Sequence, residues 1–518
     1  MIAVATLVAL GLRVYQLVSP GYLLGVTEYD DGSYFGSAVH LTTGILPYRD
    51  FVFVQPPGIT ILMTPVALLA KVTGTASGMA IGRILTTVAS TAGVLLAGLL
   101  VRHRGLPATI LACGLIAIYP DAIATARTVL LEPWLVLFCL AGAVAVFDGD
   151  RVTNSRRRLV LGGLALGFGG AVEPWAIIPV LVILALCLPG YRRALTCLAG
   201  IAVGFLVPVL PFAALGPANF YRDLIVAQVG PRVDAWRVSV WPRLKEMFGL
   251  TNIHASNLTL VLVTVIVLGF VVGAFACGWL VTRRAPSPLD WFALVTTLVI
   301  VGVFLYPNQF YFHFVAFLAP FLALAVALPV SRLVNEGRPQ AEGAGAGGWL
   351  RGAAAALAAV LIIGFGVSEI GALHHQTHSA NALRGAARIA DMIATTKRIA
   401  PPGACVFSDR VSYTIAANRF ITHVPGCSPE DDGVGANLAL SHGRSGPAGA
   451  GNDPAVAAMW RGAFEHAQYV LLTAHNEARI AWSPALVTYF HDNFHRVVKF
   501  WARGALYVRN GIPVRGAG

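Results

Sequence analysis

The 518-residue sequence predicts a polytopic α-helical membrane protein that ends in a small extracytoplasmic α/β domain. Hydrophobic residues make up 56% of the chain and charged residues only 12%, about half the share in an ordinary soluble protein. Apolar runs of about 20 residues, enough to cross a membrane, recur as far as residue 368. Beyond it, short β-branched runs alternate with helical patterns. The predicted domains are therefore residues 1–368 and 369–518.

Eleven apolar segments are predicted to span the membrane. Alternate connections carry arginines, as at residues 102–104 and 151–158, and such loops face the cytoplasm. This places the protein in the plasma membrane with a cytoplasmic N-terminus and an extracytoplasmic tail. The spans are 2–18, 82–101, 106–120, 131–147, 159–172, 175–189, 195–215, 257–281, 289–306, 312–330 and 352–368.

Two features of the membrane region require a decision. Segment 58–72 is apolar but short and contains Pro65, so we expect it to lie along the outer membrane surface rather than to span. Arg13 lies within the first span, where its side chain either reaches the outer interface or pairs with a phosphate there.

The net charge of +12 does not indicate a nucleic-acid-binding protein. Thirty-three of the 37 basic residues are arginines, and many lie in short loops between apolar runs, as a topology signal would. High arginine, alanine and glycine contents are also typical of a GC-rich genome, which favours an actinobacterial source. No nucleic acid is expected among the partners.

The acidic pair Asp30 and Asp31 lies in the first outer loop, residues 19–82, soon after the first span. A carboxylate at this depth can act as a general base. The pair can also hold a divalent cation, Mg²⁺ or Mn²⁺, although no cofactor is certain. A third interpretation is that one of them caps the helix that begins near Ser33. The pair alone does not decide among these roles.

The wider pattern resembles the GT-C superfamily of membrane glycosyltransferases, especially the branch with protein O-mannosyltransferases and the lipid A aminoarabinose transferase. The motifs that carry this likeness are Asp30-Asp31-Gly32-Ser33-Tyr34, Pro47-Tyr48-Arg49-Asp50, Gln55-Pro56-Pro57-Gly58, Leu131-Glu132-Pro133 and Tyr311-Phe312-His313-Phe314. The resemblance implies that Asp30, Asp31 and Glu132 are catalytic and that Tyr34, Tyr48, Arg49, Gln55, Arg83, Arg127 and His313 bind substrate.

One position departs from the family pattern. Some relatives have a lysine where this chain has Gln55, and a neutral amide can donate a hydrogen bond to phosphate but cannot neutralise it. Arg49, Arg83 or Arg127, or a metal ion, is then expected to supply the positive charge.

Other polar residues give weaker signals. Glu173 lies at an outer helix junction, where it caps, pairs with an arginine or faces the site, and capping is favoured. His313 is interpreted as a hydrogen-bonded interface histidine rather than a ligand. The histidines 374, 375 and 378 resemble a metal cluster, but a solvated linker is favoured because no fourth ligand is evident.

The tail predicts strands at 404–408, 468–473 and 495–508, and helices at 381–399 and 482–491. Residues 428–454, rich in Gly, Asp, Ser and Pro, predict a mobile loop. Cys405 and Cys427 are predicted to form a disulfide, because both lie on the oxidising side of the membrane.

The resemblance implies an inverting glycosyltransferase that uses a polyprenyl-phosphate-linked sugar on the outer face of the membrane. The sugar is expected to be mannose, with arabinose as the alternative, and the acceptor an envelope glycan, lipoglycan or protein. The rival functions are a transporter or flippase of lipid-linked sugars and a non-catalytic envelope scaffold. Transporter sites usually lie near the membrane midplane, whereas these acidic residues cluster at the outer edge.

Overall fold

The computed structural model describes residues 1–229, 238–250, 256–306, 310–336, 347–444 and 446–514. The described residues before the tail form helices and one short antiparallel hairpin, whose two-residue strands are Phe147–Asp148 and Arg151–Val152. The α-helices of this part are Ile2–Leu17, Asp30–Thr42, Gly58–Thr73, Thr75–Val101, Leu106–Ile118, Pro120–Ala124, Glu132–Val146, Arg156–Val172, Ile177–Cys187, Tyr191–Leu215, Pro217–Phe220, Ala227–Val229, Val240–Met247, Asn257–Thr282, Pro288–Leu305, Phe314–Glu336 and Gly347–His378. Short 3₁₀ turns cover Arg102–Arg104, Thr125–Arg127 and Pro174–Ala176, and a π-helix covers Tyr221–Val226.

The helices support a multi-pass membrane protein. Five of the described helices are long and apolar enough to cross a bilayer, and a bent pair would make six. Four shorter apolar helices accompany them, and a helix covers each of the eleven predicted segments. The number of crossings and the orientation of the ends stay predictions.

The bent pair is formed by Leu106–Ile118 and Pro120–Arg127, and its bend of 60° leaves carbonyl groups without helical partners. Arg13 supplies a donor to one of these carbonyl groups: its guanidinium donates to the Ala117 carbonyl at 3.3 Å. It also donates to Ser90 Oγ at 2.9 Å. Only 1% of Arg13 is exposed. The expectation that it reaches the interface or a phosphate is therefore wrong, because its donors are used inside the bundle.

The tail forms a four-stranded sheet covered by helices. The strand order is Val406–Ser408, Tyr469–Leu472, Ala505–Arg509, Phe494–Lys499, with the first pair parallel and the others antiparallel. The helices are Ala380–Ile399, Ser412–Ala416, Gly433–Leu440, Pro447–Ala450, Pro454–His466, Asn476–Arg479 and Pro484–Asn493.

The predicted α/β domain is confirmed, with two corrections of detail. The segment 495–508 is a hairpin rather than one strand, because residues 500–504 turn the chain and return it antiparallel. The Pro454–His466 helix, whose buried face includes Trp460 and Phe464, lies where no helix was predicted. Cys405 and Cys427 form the predicted disulfide.

The tail domain packs directly on the first outer loop. Ile415 joins a buried cluster with Phe35 and Ile59 of the loop, and Phe420 packs at its edge. The prediction of a mobile loop at 428–454 is wrong: Asp432 caps the Gly433–Leu440 helix, and the preceding residues bind the outer loop.

The histidines at the end of the bundle are also ordered. His374 and His378 lie one turn apart on the Gly347–His378 helix, and Tyr15 Oη contacts both at 2.7 and 3.2 Å. The prediction of a linker is wrong, because residues 374–378 continue the helix and the His374 and His378 rings stack on Tyr15, although His374 and His375 are solvent-exposed as predicted.

The predicted orientation can be tested by thiol labelling in intact cells. Asp492 and Asn154 are both exposed, and they lie in the tail and in an arginine-bearing loop. An impermeant maleimide should label Asp492→Cys in intact cells and Asn154→Cys only after the cells are opened. Labelling of Asn154→Cys alone in intact cells would invert the topology.

Candidate active site

The two carboxylates of the acidic pair point to different surroundings. Both lie in the first turn of the Asp30–Thr42 helix, where neighbouring side chains diverge by about 100°. Tyr29 precedes the helix, and neither aspartate provides a side-chain cap. The capping interpretation is therefore wrong, and the two residues need separate roles.

Asp31 is completely buried and fully paired. Its Oδ2 accepts from Arg83 Nη2 at 2.6 Å and from Thr128 Oγ1 at 2.7 Å. Its Oδ1 accepts from Ser412 Oγ at 2.6 Å, a contact from the tail domain. Asp31 therefore joins the outer loop, the Thr75–Val101 helix and the tail domain at one point.

Arg83 completes this junction. Its Nη1 donates to the backbone carbonyls of Tyr22, Leu23 and Gly25 at 2.7–2.9 Å, and the residue has no exposed surface. With its charge bonded to Asp31, Arg83 holds the loop entry in place. The geometry favours loop-holding roles for Asp31 and Arg83 over the predicted catalytic and phosphate-binding roles.

Asp30 instead faces His313 and remains accessible. Its side chain is 33% exposed, and its Oδ2 lies 3.7 Å from His313 Nε2. The other ring nitrogen, Nδ1, lies 2.5 Å from Glu132 Oε1. Glu132 opens the Glu132–Val146 helix, and His313 immediately precedes the Phe314–Glu336 helix. Asp30, Glu132 and His313, the catalytic cluster, thus meet from three distant segments.

Mutual electrostatics set the protonation of this cluster. Poor solvation raises the pKa of Asp30 to about 7, although the His313 charge opposes the rise. Burial tends to lower the pKa of His313, but the adjoining Glu132 and Asp30 carboxylates raise it to about 9. Near neutral pH, the site therefore holds an imidazolium beside a carboxyl group that can accept a proton.

Tyr34 and Glu173 lie close enough to the catalytic cluster for its charges to act on them. Tyr34 is one turn after Asp30 and 5% exposed, and burial, then the Asp30 charge, raises its pKa well above the usual value. Glu173 is 7% exposed and caps neither adjoining helix, so the capping interpretation is wrong. Burial and the Glu132 charge raise the pKa of Glu173 well above its usual range.

The tail domain also places residues near Asp30 that no sequence motif indicated. Tyr29 Oη donates to Asp432 Oδ1 at 3.0 Å, and the Arg479 guanidinium lies 4.6 Å from the Tyr29 ring centre. Arg479 is itself held by Asp409 at 3.3 Å. Asp432 is close enough to add to the negative potential at Asp30.

The remaining predicted substrate-binding residues bond to groups outside the catalytic cluster. Arg127 pairs with Glu28 at 3.3 Å. Arg49 is paired with Asp50 on the surface. Two more predicted residues bond each other: the Tyr48 hydroxyl donates to the backbone carbonyl of Gln55. In the described residues, Arg49, Tyr48 and Gln55 have no hydrogen bond or ion pair with the catalytic cluster.

The predicted divalent cation gains no ligand set from the geometry. Across the described ranges, no three His, Cys, Asp or Glu side chains come together as a metal site. Asp30 and Asp31 diverge, so they do not offer a shared pair of oxygens. The cation stays a prediction.

The bundle, its first outer loop and the appended α/β domain share their fold with solved structures of two other proteins. ArnT from Cupriavidus metallidurans in the apo state matches with a TM-score of 0.61 and 14% identity, over 98% of this chain and 97% of ArnT. The same protein bound to undecaprenyl phosphate gives a TM-score of 0.60, also at 14% identity and the same coverage.

A second solved relative is the oligosaccharyltransferase of Archaeoglobus fulgidus, tethered to an acceptor peptide. It matches with a TM-score of 0.54 and 12% identity, over 99% of this chain and 74% of the archaeal protein. No family model and no curated protein matches the sequence. At these identities the likeness shows the fold alone.

The loop-holding role of Asp31 predicts a loss of stability. Asp31→Asn leaves the buried Arg83 charge unpaired, which should lower the free energy of unfolding by about 3–5 kcal/mol. Ser412→Ala removes one hydrogen bond and should cost about 1–2 kcal/mol. Thermal unfolding in detergent measures both changes.

The matched control is Asp453→Asn, because Asp453 caps the Pro454–His466 helix and asparagine caps equally well. An unchanged melting temperature for Asp31→Asn would contradict the loop-holding role.

Proposed function

We propose that this protein is an inverting glycosyltransferase that moves a sugar from a polyprenyl phosphate to a hydroxyl acceptor outside the cytoplasm. The observation that carries the proposal is the position of Asp30, a partly exposed carboxyl group beside the buried His313–Glu132 pair. A raised pKa suits a general base, because the group is ionised near neutral pH and still accepts a proton effectively.

In the proposed reaction, Asp30 takes the proton of the acceptor hydroxyl as its oxygen attacks the anomeric carbon. The new C–O bond forms as the bond to the donor phosphate breaks from the opposite face, which inverts the anomeric centre. The bonding electrons leave with the polyprenyl phosphate. His313, kept protonated by Glu132, offsets the negative charge that develops on that phosphate.

The solved relatives support the chemical class of donor. One ArnT crystal structure has undecaprenyl phosphate bound. The Archaeoglobus fulgidus oligosaccharyltransferase, AglB, has a solved structure in complex with an inhibitory peptide and a dolichol-phosphate. A polyprenyl-phosphate-linked sugar is the corresponding donor proposed here. No comparison supports the transporter alternative.

The finer assignment follows from the sequence. We favour mannose as the sugar, with arabinose as the alternative, and an envelope glycan, lipoglycan or protein as the acceptor. An actinobacterial source, on which the sugar preference rests, stays a prediction.

The direct test is transfer by the purified full chain. We expect labelled sugar to move from decaprenyl- or undecaprenyl-phosphate mannose to an envelope acceptor fraction. Asp30→Asn should lower transfer by about 10²-fold or more, because it removes the base while keeping the side-chain shape. Asp453→Asn, an identical change at a distant helix end, is the control. A folded Asp30→Asn variant with near-normal transfer would disprove the role of Asp30.

The pH profile of kcat/KM tests the pairing of Asp30 with His313. Activity should rise through about pH 7 as Asp30 loses its proton, and should fall above about pH 9 as His313 loses its charge. His313→Gln should lower the rate and remove the alkaline fall. A fall that persists unchanged in His313→Gln would refute the role of the imidazolium.

A further inference from the structure

Glu173 is a buried acid that the outer loop, its own helix and the His313 segment hold in place. The loop presses on the end of the Arg156–Val172 helix, since a Cβ at Gly58 would lie 2.4 Å from the Ala171 carbonyl oxygen. On the other side, the Trp175 ring packs 5.9 Å from Phe314, which follows His313. The backbone at Glu173 is therefore fixed beside the catalytic cluster.

Among the described residues, no cation pairs with Glu173 alone. Its side chain makes no hydrogen bond or ion pair with them, and only 7% of the residue is exposed. Its charged neighbours are Glu132 and Asp30, which repel a negative charge, and His313. His313 is already bonded to Glu132 at 2.5 Å and faces Asp30 at 3.7 Å. Three carboxyl groups thus share one imidazolium.

A buried carboxylate without a partner is costly, and such a group is neutralised by binding a proton. The proton stays on the least compensated acid, which here is Glu173. A neutral carboxylic acid is a hydrogen-bond donor, whereas a carboxylate only accepts. An anion that enters beside Glu173 would therefore meet a donor instead of a repelling charge.

We propose that Glu173 is held protonated and donates a hydrogen bond to the phosphate of the polyprenyl ligand. This inference rests on the proposed function, since it assigns a phosphate contact in the same site. Tyr34 is 5% exposed, and its hydroxyl, which makes no hydrogen bond to the described residues, offers a second neutral donor near Glu173. Together with the imidazolium, these donors accommodate an anion without a lysine or arginine at the catalytic cluster.

The test measures binding of undecaprenyl phosphate to the purified full chain in detergent. Glu173→Gln keeps a neutral donor and should bind within about threefold of the wild type. Glu173→Leu fills the space without a donor and should weaken binding by about tenfold or more, the range of a hydrogen bond to a charged group. Leucine is used because replacing a buried polar group by an apolar one of similar size preserves the fold. Melting temperatures check that both variants are folded.

Binding measurements with two further ligands distinguish recognition of the lipid-linked phosphate from recognition of the lipid alone or of free phosphate. Undecaprenol lacks the phosphate and should bind wild type and Glu173→Leu equally, and inorganic phosphate alone should not compete at millimolar concentration. Effective competition by inorganic phosphate would mean that the site reads a free anion and would overturn the lipid assignment.

Binding separates this inference from the proposed function. Asp30→Asn should still bind undecaprenyl phosphate although its transfer rate should fall, so a failure to detect any transfer leaves the binding result intact. Equal losses in Glu173→Gln and Glu173→Leu would show that a carboxylate is required, and normal binding by Glu173→Leu would show that Glu173 has no part in recognition. Either result would overturn the inference.

Discussion

The buried ion pair between Asp31 and Arg83 is the constraint on which the rest of the site depends. It is fully enclosed, and Asp31 also accepts a hydrogen bond from Ser412 of the tail domain, while Arg83 also donates to carbonyl groups of the outer loop. A buried pair of this kind contributes little net stability over apolar packing, but losing one member is costly. Its value is positional, because the fixed first turn of the Asp30–Thr42 helix leaves Asp30 directed at His313.

Among the described residues, the catalytic cluster has little positive charge. Of the described residues, only His313 brings a cation into ion-pair contact with Asp30 or Glu132. The arginines that the sequence suggested for phosphate binding are engaged elsewhere: Arg83 with Asp31, Arg127 with Glu28 and Arg49 with Asp50. An anionic donor is therefore matched by one imidazolium and neutral donors, so the protonation of the acids becomes part of recognition.

The sequence predicted the helical segments and named Asp30, Glu132 and His313 as candidates, which the structure brings together, because apolar run length and motif order are local signals. It could not separate Asp30 from Asp31, since adjacent helical residues diverge and only the packing shows which one faces Arg83. Ser412 and Asp432 escaped notice because they lie about 380 and 400 residues from their loop partners. Glu173 resembled a cap because a carboxylate before Pro174 fits a helix start.

The contact between Asp31 and Ser412 also requires that the number of membrane crossings between these two residues be even. Two groups that touch lie on the same side of a membrane, so the chain must cross it an even number of times between them. Ten of the predicted spans lie between the first loop and the tail. The steps from Asp30 to Glu132, from Glu132 to Glu173 and from Glu173 to His313 enclose two, two and four of these spans, all even. Counting Gly58–Thr73 as an eleventh crossing in that interval would put Asp31 and Ser412 on opposite faces, so the ten predicted spans are compatible with this contact only if the helix stays on the outer side.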